Sequence, residues 1–261
     1  MLYHKTFEQD SRRDWVVFVH GAGGSSAIWF KQLRAYRAHF NVLLLDLRGH
    51  GQSHPLQQVV KGHYSFRAVT EDIVQLLDHL RISSAHFVGI SLGTILIRHL
   101  AELCPERVKS MVLGGAILRL DVRSRLLVQL GRVGQHILPY MWLYRLFAFI
   151  IMPRQHHQES RHLFVREARK LCQQEFKRWF RLAADVNPLM RYFKERTLPI
   201  PTLYLMGQED HLFLAPVREQ VARDPYSQLE VIDGCGHVCN VEQPARFNRQ
   251  SLAFLAAHAK A

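Results

Sequence analysis

The sequence, 261 residues long, predicts an α/β protein with a doubly wound, mostly parallel sheet, helices on both faces of that sheet and one helical insertion. Two observations predict the sheet: short apolar runs alternate with amphipathic helical stretches, and several of the runs end at glycine-containing turns. A third observation predicts the insertion, because one long central stretch has helical patterning only. The length suits a single domain with a large core.

The predicted strands are apolar along their whole length, which is typical of parallel strands covered on both faces. DWVVFVH and FNVLLLDL are the first two such runs. In chain order, the predicted strands lie at 14–20, 40–47, 85–90, 109–117, 201–207 and 228–234.

The predicted helices lie between these strands and repeat apolar residues at helical spacing. In FRAVTEDIVQLLDHL, the residues Phe66, Val69, Ile73 and Leu77 fall on one stripe, which would pack against the sheet. The predicted helices lie at about 26–38, 66–80, 92–103, 216–223 and 243–258.

The stretch from 119 to 198 interrupts the alternation, since it contains no predicted strand. It follows one strand and precedes another, so it would lie above the carboxyl ends of the strands and cover whatever binds there. We therefore expect a core domain made of residues 1–118 and 199–261, with residues 119–198 as a helical lid.

The chain is strongly basic, with a formal net charge of +12. Arginines are dense in the predicted lid, and no aromatic-basic RNA-binding signature accompanies them, so solvated helix faces are the simplest interpretation and no nucleic-acid partner is expected. An alternative is that lid residues such as Arg161, Arg166 and Arg169 attract an anionic substrate, an acidic carrier or an anionic lipid. The oligomeric state stays open.

The chain is expected to be cytoplasmic. It begins without an apolar signal-peptide core, and its four cysteines lack disulfide-framework spacing. The longest apolar run, at 137–153, is interrupted by Pro139 and Arg145. Within it, YMWLYRLFAFII is expected to be a lid helix packed over a pocket; insertion into a lipid interface is the alternative.

A candidate nucleophile, Ser91, lies in GISLG at the junction of a predicted strand and a predicted helix. G-x-S-x-G in that context raises a serine hydroxyl on a tight turn, at a helix N-terminus whose free N–H groups favour developing negative charge. A glycine-cushioned turn without chemistry is the alternative interpretation of this motif alone.

A serine nucleophile needs a base and an orienting carboxylate. His237 lies in a glycine-rich loop after the last predicted strand, and Asp210 follows the preceding strand. Glu209 is an alternative acid. Cys235 and Cys239 flank His237 as in a metal cluster, but a fourth ligand is missing nearby, so no metal is expected.

An oxyanion hole is predicted from two backbone N–H groups. Leu92, directly after the nucleophile, supplies one, and the loop HGAGGSS supplies the other from Ala22, with Gly23 next. Gly24 and Ile90, beside these groups, are expected to contact substrate. The loop matches neither a phosphate-binding nor a dinucleotide-binding motif, so no nucleotide cofactor is expected.

With these motifs the sequence resembles the α/β-hydrolase fold family, in its small, lidded, esterase-like branch. The matching segments, VHGAGGSS, LLLDLRGHGQS, GISLGT, PTLYLMGQED and GCGHVCNVEQP, cover nearly the whole chain. The resemblance implies a Ser–Asp–His triad and hydrolysis of a small-molecule carboxylic ester or thioester through an acyl-enzyme, without metal or organic cofactor. It assigns Asp46, Arg48 and His50 to scaffolding.

Other functions remain open at this stage. A lactonase or a carbon–carbon bond hydrolase would use the same residues, and some proteins of this fold act as ligand receptors or signalling partners with little turnover. Serine at position 91 disfavours the haloalkane dehalogenase and epoxide hydrolase branches, where an aspartate stands. Only 13 residues precede the first predicted strand, so the family's opening hairpin is expected to be shortened.

Overall fold

The computed structural model describes residues 1–53, 64–134, 138–182, 185–194 and 196–259, apart from the side chains of residues 123, 127, 132, 133 and 194. The described residues form the strands β1 (His4–Phe7), β2 (Trp15–Val19), β3 (Asn41–Leu45), β4 (Ala85–Ile90), β5 (Val108–Gly114), β6 (Thr202–Gly207) and β7 (Ser227–Ile232). They pair in one sheet in the order β1-β3-β2-β4-β5-β6-β7. All pairs are parallel except β1 with β3, which confirms the predicted doubly wound, mostly parallel sheet.

The six predicted strands are all present, with ends shifted by a few residues. The sequence did not predict β1, which pairs antiparallel with β3 at the edge of the sheet. Its residues, HKTF, are partly or fully exposed and lack the apolar character that identified the buried strands. Four residues are also too few to establish an alternating pattern.

The helices of the described residues lie between and beyond these strands. They are α1 (Phe30–Arg37), α2 (Phe66–His79), α3 (Leu92–Leu103), α4 (Val122–Gly134), α5 (Tyr140–Ile151), α6 (Gln158–Ala168), α7 (Gln173–Leu182), α8 (Val186–Lys194), α9 (Leu214–Val221), α10 (Cys239–Glu242) and α11 (Pro244–His258).

The sheet is buried on both faces because successive side chains of its strands point in opposite directions. In β2, Val17 and Val19 join the core with α2 and α3, whereas Val16 and Phe18 join the core with α1 and α11. Each fully buried side chain of this kind stabilises the fold by about 1.5–3 kcal/mol. This two-sided burial explains why the strands are apolar throughout.

The segment between β5 and β6 contains α4 to α8 and, in its described residues, no strand. It has a small core of its own, which includes Leu143, Tyr144 and Phe176. Trp179 and Phe193 extend the core beside α2 and α3. We call this segment the insertion; its function as a lid, with boundaries at 119 and 198, stays a prediction. No helix among the described residues is long and apolar enough to cross a membrane.

Candidate active site

Ser91 lies between β4 and α3, on a turn with φ 54° and ψ −121°. Positive φ is unfavourable for a residue with a side chain, so the surrounding structure must hold this conformation. The glycines of the motif make the turn possible by their lack of a side chain. A Cβ at Gly93 would lie 2.2 Å from the carbonyl oxygen of Val19, and a Cβ at Gly89 would lie 2.5 Å from Ile97 Cδ1.

Gly93→Ala is expected to destabilise the protein by about 3 kcal/mol or more, because its Cβ would collide with the backbone of β2 and force α3 away from the sheet. Urea unfolding measures the loss. Gly234→Ala is the matched control: its φ of 60° strains any side chain, but its Cβ meets nothing within 4 Å. That variant should lose only about 1–2 kcal/mol. Equal losses would contradict the close packing of α3 on β2.

Three side chains predicted from distant parts of the sequence meet above the sheet. His237 Nε2 lies 2.9 Å from Ser91 Oγ, and His237 Nδ1 lies 2.8 Å from Asp210 Oδ2. Asp210 and His237 are buried, whereas Ser91 is partly accessible. The loops of the acid and the histidine touch at Gly207, where a Cβ would lie 2.0 Å from the carbonyl oxygen of Gly236.

Glu209, the alternative acid, points away from His237. Its carboxylate binds His156 Nε2 at 2.8 Å, His157 Nε2 at 2.9 Å and an arginine, Arg154, at 2.8 Å. These three partners belong to the insertion, so Glu209 attaches the insertion to the loop that carries Asp210. The geometry therefore favours Asp210 as the partner of His237.

The two cysteines beside His237 are occupied within the core. Cys239 Sγ donates to the carbonyl oxygen of Leu205, and Cys235 lies within the same buried layer. Burial raises the pKa of both thiols above the ordinary value, so neither is predisposed to be a thiolate ligand. Since His237 is already bound on both ring nitrogens, these three residues do not form a set of metal ligands.

The predicted oxyanion loop is fixed by two histidines. His20 Nε2 accepts from the Leu47 N–H at 2.9 Å, and His50 Nε2 accepts from the Gly23 N–H at 3.0 Å. Burial lowers the pKa of His20 and, together with the neighbouring His20 ring, lowers that of His50 well below its ordinary value. Both rings are therefore neutral acceptors, which is the scaffolding role predicted for His50.

The bond to His50 occupies the Gly23 N–H, which sequence reasoning had offered as the second choice for the oxyanion donor. Gly23 instead provides space, because a Cβ there would lie 2.8 Å from the ring of Tyr144. Among the described residues, no acceptor binds the N–H of Ala22 or that of Leu92. Both predicted donors are therefore free of an acceptor within the described structure.

The turn DLRGHGQS supports the same loop from below. Asp46 accepts from the N–H of Ser26 at 2.6 Å and from that of Gln52 at 2.8 Å. Arg48 binds Asp72 through two nitrogens, at 2.6 and 2.7 Å. Neither Asp46 nor Arg48 lines the cavity above Ser91, in agreement with their predicted structural role.

A cavity of about 250 Å³ lies above Ser91, between the core loops and the insertion. Gly24 and Ile90, the predicted substrate contacts, line it together with Ala22. The remaining wall is mostly apolar and includes Leu120, Val128, Tyr144, Phe147, Ile151, Leu163, Phe164, Phe176, Phe180, Leu212 and Phe213. The sequence predicted that the run YMWLYRLFAFII packs over a pocket, and three of its residues, Tyr144, Phe147 and Ile151, line this cavity. It did not identify the lining residues of the other insertion helices, because their helical pattern does not reveal which side faces the core.

Glu167 is the only carboxylate among the described residues that line this cavity, and none of them is a lysine or an arginine. Burial acts to raise the pKa of Glu167, but hydrogen bonds from Lys170 at 2.6 Å and Ser25 at 2.7 Å outweigh it and hold the pKa below its ordinary value. The cavity therefore contains an ionised carboxylate. Sequence reasoning missed Glu167 because it lies on a helix crowded with charges.

The basic residues proposed to attract an anionic substrate lie outside the cavity. Arg161 donates to the carbonyl oxygens of Met152 and Arg154, while Arg166 lies 3.5 Å from Glu167. Arg169 is exposed. None of these three arginines lines the cavity above Ser91.

A parallel sheet with a serine on a strained turn after its central strand, joined by hydrogen bonds to a histidine and an aspartate, defines a hydrolase of the α/β type. A sequence model described as "Alpha/beta hydrolase family" matches residues 16–250. The chain therefore belongs to the α/β hydrolase family and is an enzyme of the hydrolase class.

Relatives of known sequence or structure support this assignment over almost the full length. A protein of Acinetobacter baylyi named as a carbamate hydrolase, RutD, is 27% identical over 98% of this chain and 98% of its own. The 3-oxoadipate enol-lactonase 2 of the same species is 25% identical over 95% of this chain and 90% of its own. The crystal structure of a hydrolase from Pseudomonas aeruginosa superposes with a TM-score of 0.83 at 25% identity, covering 97% of this chain and 94% of that one.

Proposed function

We propose that this hydrolase cleaves a carboxylic ester or thioester with an apolar acyl group, through an acyl-enzyme intermediate on Ser91. The observation that carries the proposal is the hydrogen-bonded series Ser91–His237–Asp210 at the base of an apolar cavity of about 250 Å³. A cavity of this volume and lining suits a medium-length acyl chain better than a small polar group.

In the first half of the reaction, His237 Nε2 takes the proton of Ser91 Oγ as that oxygen attacks the substrate carbonyl carbon. Asp210 orients the ring and stabilises its positive charge. The negative charge that develops on the carbonyl oxygen is bound by the N–H groups of Ala22 and Leu92. The positive end of the α3 dipole lies at the same position and adds to this stabilisation.

In the second half, His237 returns its proton to the departing alcohol or thiol, and the acyl group stays on Ser91. Water then enters, gives a proton to His237 and attacks the acyl carbon. The bond between that carbon and Ser91 Oγ breaks as His237 returns the proton to Oγ, which regenerates the serine and releases the acid. The insertion covers the cavity through Tyr144 and Phe147, so we propose that it acts as a lid that limits bulk water around the acyl chain.

The cavity lining also indicates which acyl groups are disfavoured. An acyl chain that ends in a carboxylate would bury a charge in this apolar wall, where no lysine or arginine among the described lining residues could pair with it. The one carboxylate there, Glu167, already occupies the nearby Lys170. Burying an unpaired charge is costly. We therefore propose that the basic residues of the insertion attract anionic carriers or lipids at the outer surface and not in the acyl cavity.

A matched pair of esters tests this specificity. We expect kcat/KM for p-nitrophenyl hexanoate to exceed that for mono-p-nitrophenyl adipate by about tenfold or more, since the two differ by one terminal carboxylate. Glu167→Gln should reduce this ratio, mainly by raising kcat/KM for the adipate ester. Spectrophotometric release of p-nitrophenol measures both.

The control is Glu159→Gln, a change on the same helix at an exposed carboxylate that binds Lys31. That variant should keep the wild-type ratio. A preference for the adipate ester, or a ratio unchanged in Glu167→Gln, would contradict the proposed acyl specificity. Turnover of neither ester would contradict the proposed function and favour a ligand receptor.

Lactone hydrolysis is the second candidate, favoured by the relative named as an enol-lactonase. A lactone is a cyclic ester, so the same groups would open it, with acyl and alcohol parts in one product. Proton release from δ-decalactone, followed in a pH-stat, tests this candidate. A kcat/KM above that for the hexanoate ester would make lactone hydrolysis the better assignment.

A further inference from the structure

Two neighbouring helices of the insertion expose large apolar side chains to solvent. The exposed residues are Val122, Leu126 and Leu130 on α4, and Trp142, Leu146 and Phe149 on α5; between 46% and 72% of each is accessible. The two helices approach each other closely at glycines: a Cβ at Gly131 would lie 2.7 Å from Phe147 Cζ, and one at Gly134 would lie 3.0 Å from Leu143 Cδ2. We call the six exposed residues the α4–α5 face.

The α4–α5 face lies on the side of both helices away from the substrate cavity. Successive residues of a helix are about 100° apart, so residues at i, i+4 and i+7 or i+8 share one side. On α4, Ser124 and Val128 line the cavity and fall opposite the exposed stripe. On α5, Tyr144 and Phe147 do the same. Both helices are therefore apolar on an inner and on an outer side.

One arginine lies beside each exposed stripe. Arg125 follows Val122 by three residues, Arg145 follows Trp142 by three residues, and both are exposed. Arg125 Nε donates to the carbonyl oxygen of Asp121, just before its own helix. An apolar stripe with an aromatic residue and flanking arginines is the composition of a helix that lies in a lipid interface.

We propose that the α4–α5 face docks on the surface of an anionic lipid bilayer. The charges favour this partner over a second copy of the chain, because a two-fold interface would bring the same arginines together. An anionic bilayer complements both these arginines and the net charge of +12. Docking requires no chemistry at Ser91, although it would bring lipid to the outer side of the helices that cover the cavity.

Co-sedimentation with vesicles tests the proposal. Wild type should bind vesicles of phosphatidylcholine mixed with phosphatidylglycerol, and bind vesicles of phosphatidylcholine alone much more weakly. Trp142→Ser/Phe149→Ser should bind the mixed vesicles about tenfold more weakly or worse. Arg125→Gln/Arg145→Gln should lower the affinity for the mixed vesicles about tenfold and leave the affinity for the neutral vesicles unchanged.

The controls are Phe30→Ser and Arg249→Gln, which remove an exposed phenylalanine and an exposed arginine elsewhere on the surface and should leave binding unchanged. Ser91→Ala should bind as wild type does, so the test is independent of turnover. Equal binding to neutral and mixed vesicles would overturn the proposal. Absent binding of wild type to the mixed vesicles would also overturn it. A wild-type dimer that Trp142→Ser/Phe149→Ser converts to monomer would then assign the α4–α5 face to a second copy of the chain.

Discussion

Ser91→Ala is expected to lower kcat for p-nitrophenyl hexanoate by about 10⁵-fold or more, with little change in KM. The Ser91 hydroxyl is the group that lies 2.9 Å from His237 Nε2, and no acyl-enzyme can form without it. KM should change little because the substitution removes one oxygen and leaves the apolar cavity intact. Steady-state and stopped-flow release of p-nitrophenol measure the effect.

A fluorophosphonate probe gives an independent measurement of the same nucleophile. Wild type should gain one adduct, which peptide mass spectrometry places on Ser91, and Ser91→Ala should gain none. The unfolding midpoints of the two proteins should be similar, which excludes loss of the fold as the cause. A Ser91→Ala variant that keeps more than about 1% of the wild-type kcat would rule out the proposed nucleophile.

The elements that the sequence predicted well are those whose local pattern is enforced by the sheet. The apolar runs of β2 and β4 are buried on both faces, so their composition alone identifies them. The candidate triad followed from the same logic, since Ser91, Asp210 and His237 each come after a parallel strand, and the carboxyl ends of such strands meet at one edge.

The features that sequence reasoning missed depend on contacts between distant residues. The bond from Gly23 N–H to His50 Nε2 joins residues 27 apart. Because it occupies the Gly23 N–H, it favours Ala22 over Gly23 as the predicted oxyanion donor. Glu167 reaches the cavity because α6 packs its buried side against Ser25, 142 residues away. Nothing in the local pattern of either segment specifies such a partner.

The run YMWLYRLFAFII illustrates a different limit. The sequence favoured a helix packed over the pocket, and treated insertion into a lipid interface as the alternative to it. In the structure, Tyr144 contacts the cavity while Trp142 and Phe149 face solvent. A helix that is apolar on all sides has no polar stripe to orient it, so its amino-acid pattern cannot reveal which side is exposed.

Asp210→Asn is expected to lower kcat by about 10⁴-fold. Asp210 Oδ2 accepts from His237 Nδ1 at 2.8 Å, which leaves Nε2 free to accept the Ser91 proton. An asparagine amide can donate to Nδ1 instead, which places the ring proton on Nε2, where it faces Ser91 and blocks proton transfer. Asparagine preserves the size and burial of Asp210. The loss of kcat therefore measures the effect of removing the lone pair at His237 Nε2 that accepts the Ser91 proton.

Glu209→Gln is the matched control for this substitution because it removes the adjacent carboxylate without touching His237. Glu209 binds His156 and His157, so its loss should loosen the attachment of the insertion and lower the unfolding midpoint, with at most a several-fold change in kcat. A 10⁴-fold loss in Glu209→Gln and a small one in Asp210→Asn would reverse the assignment of the acid. Large losses in both would mean that the ion pairs at Glu209 hold the Asp210 loop in its active position, since Glu209 and Asp210 share one turn.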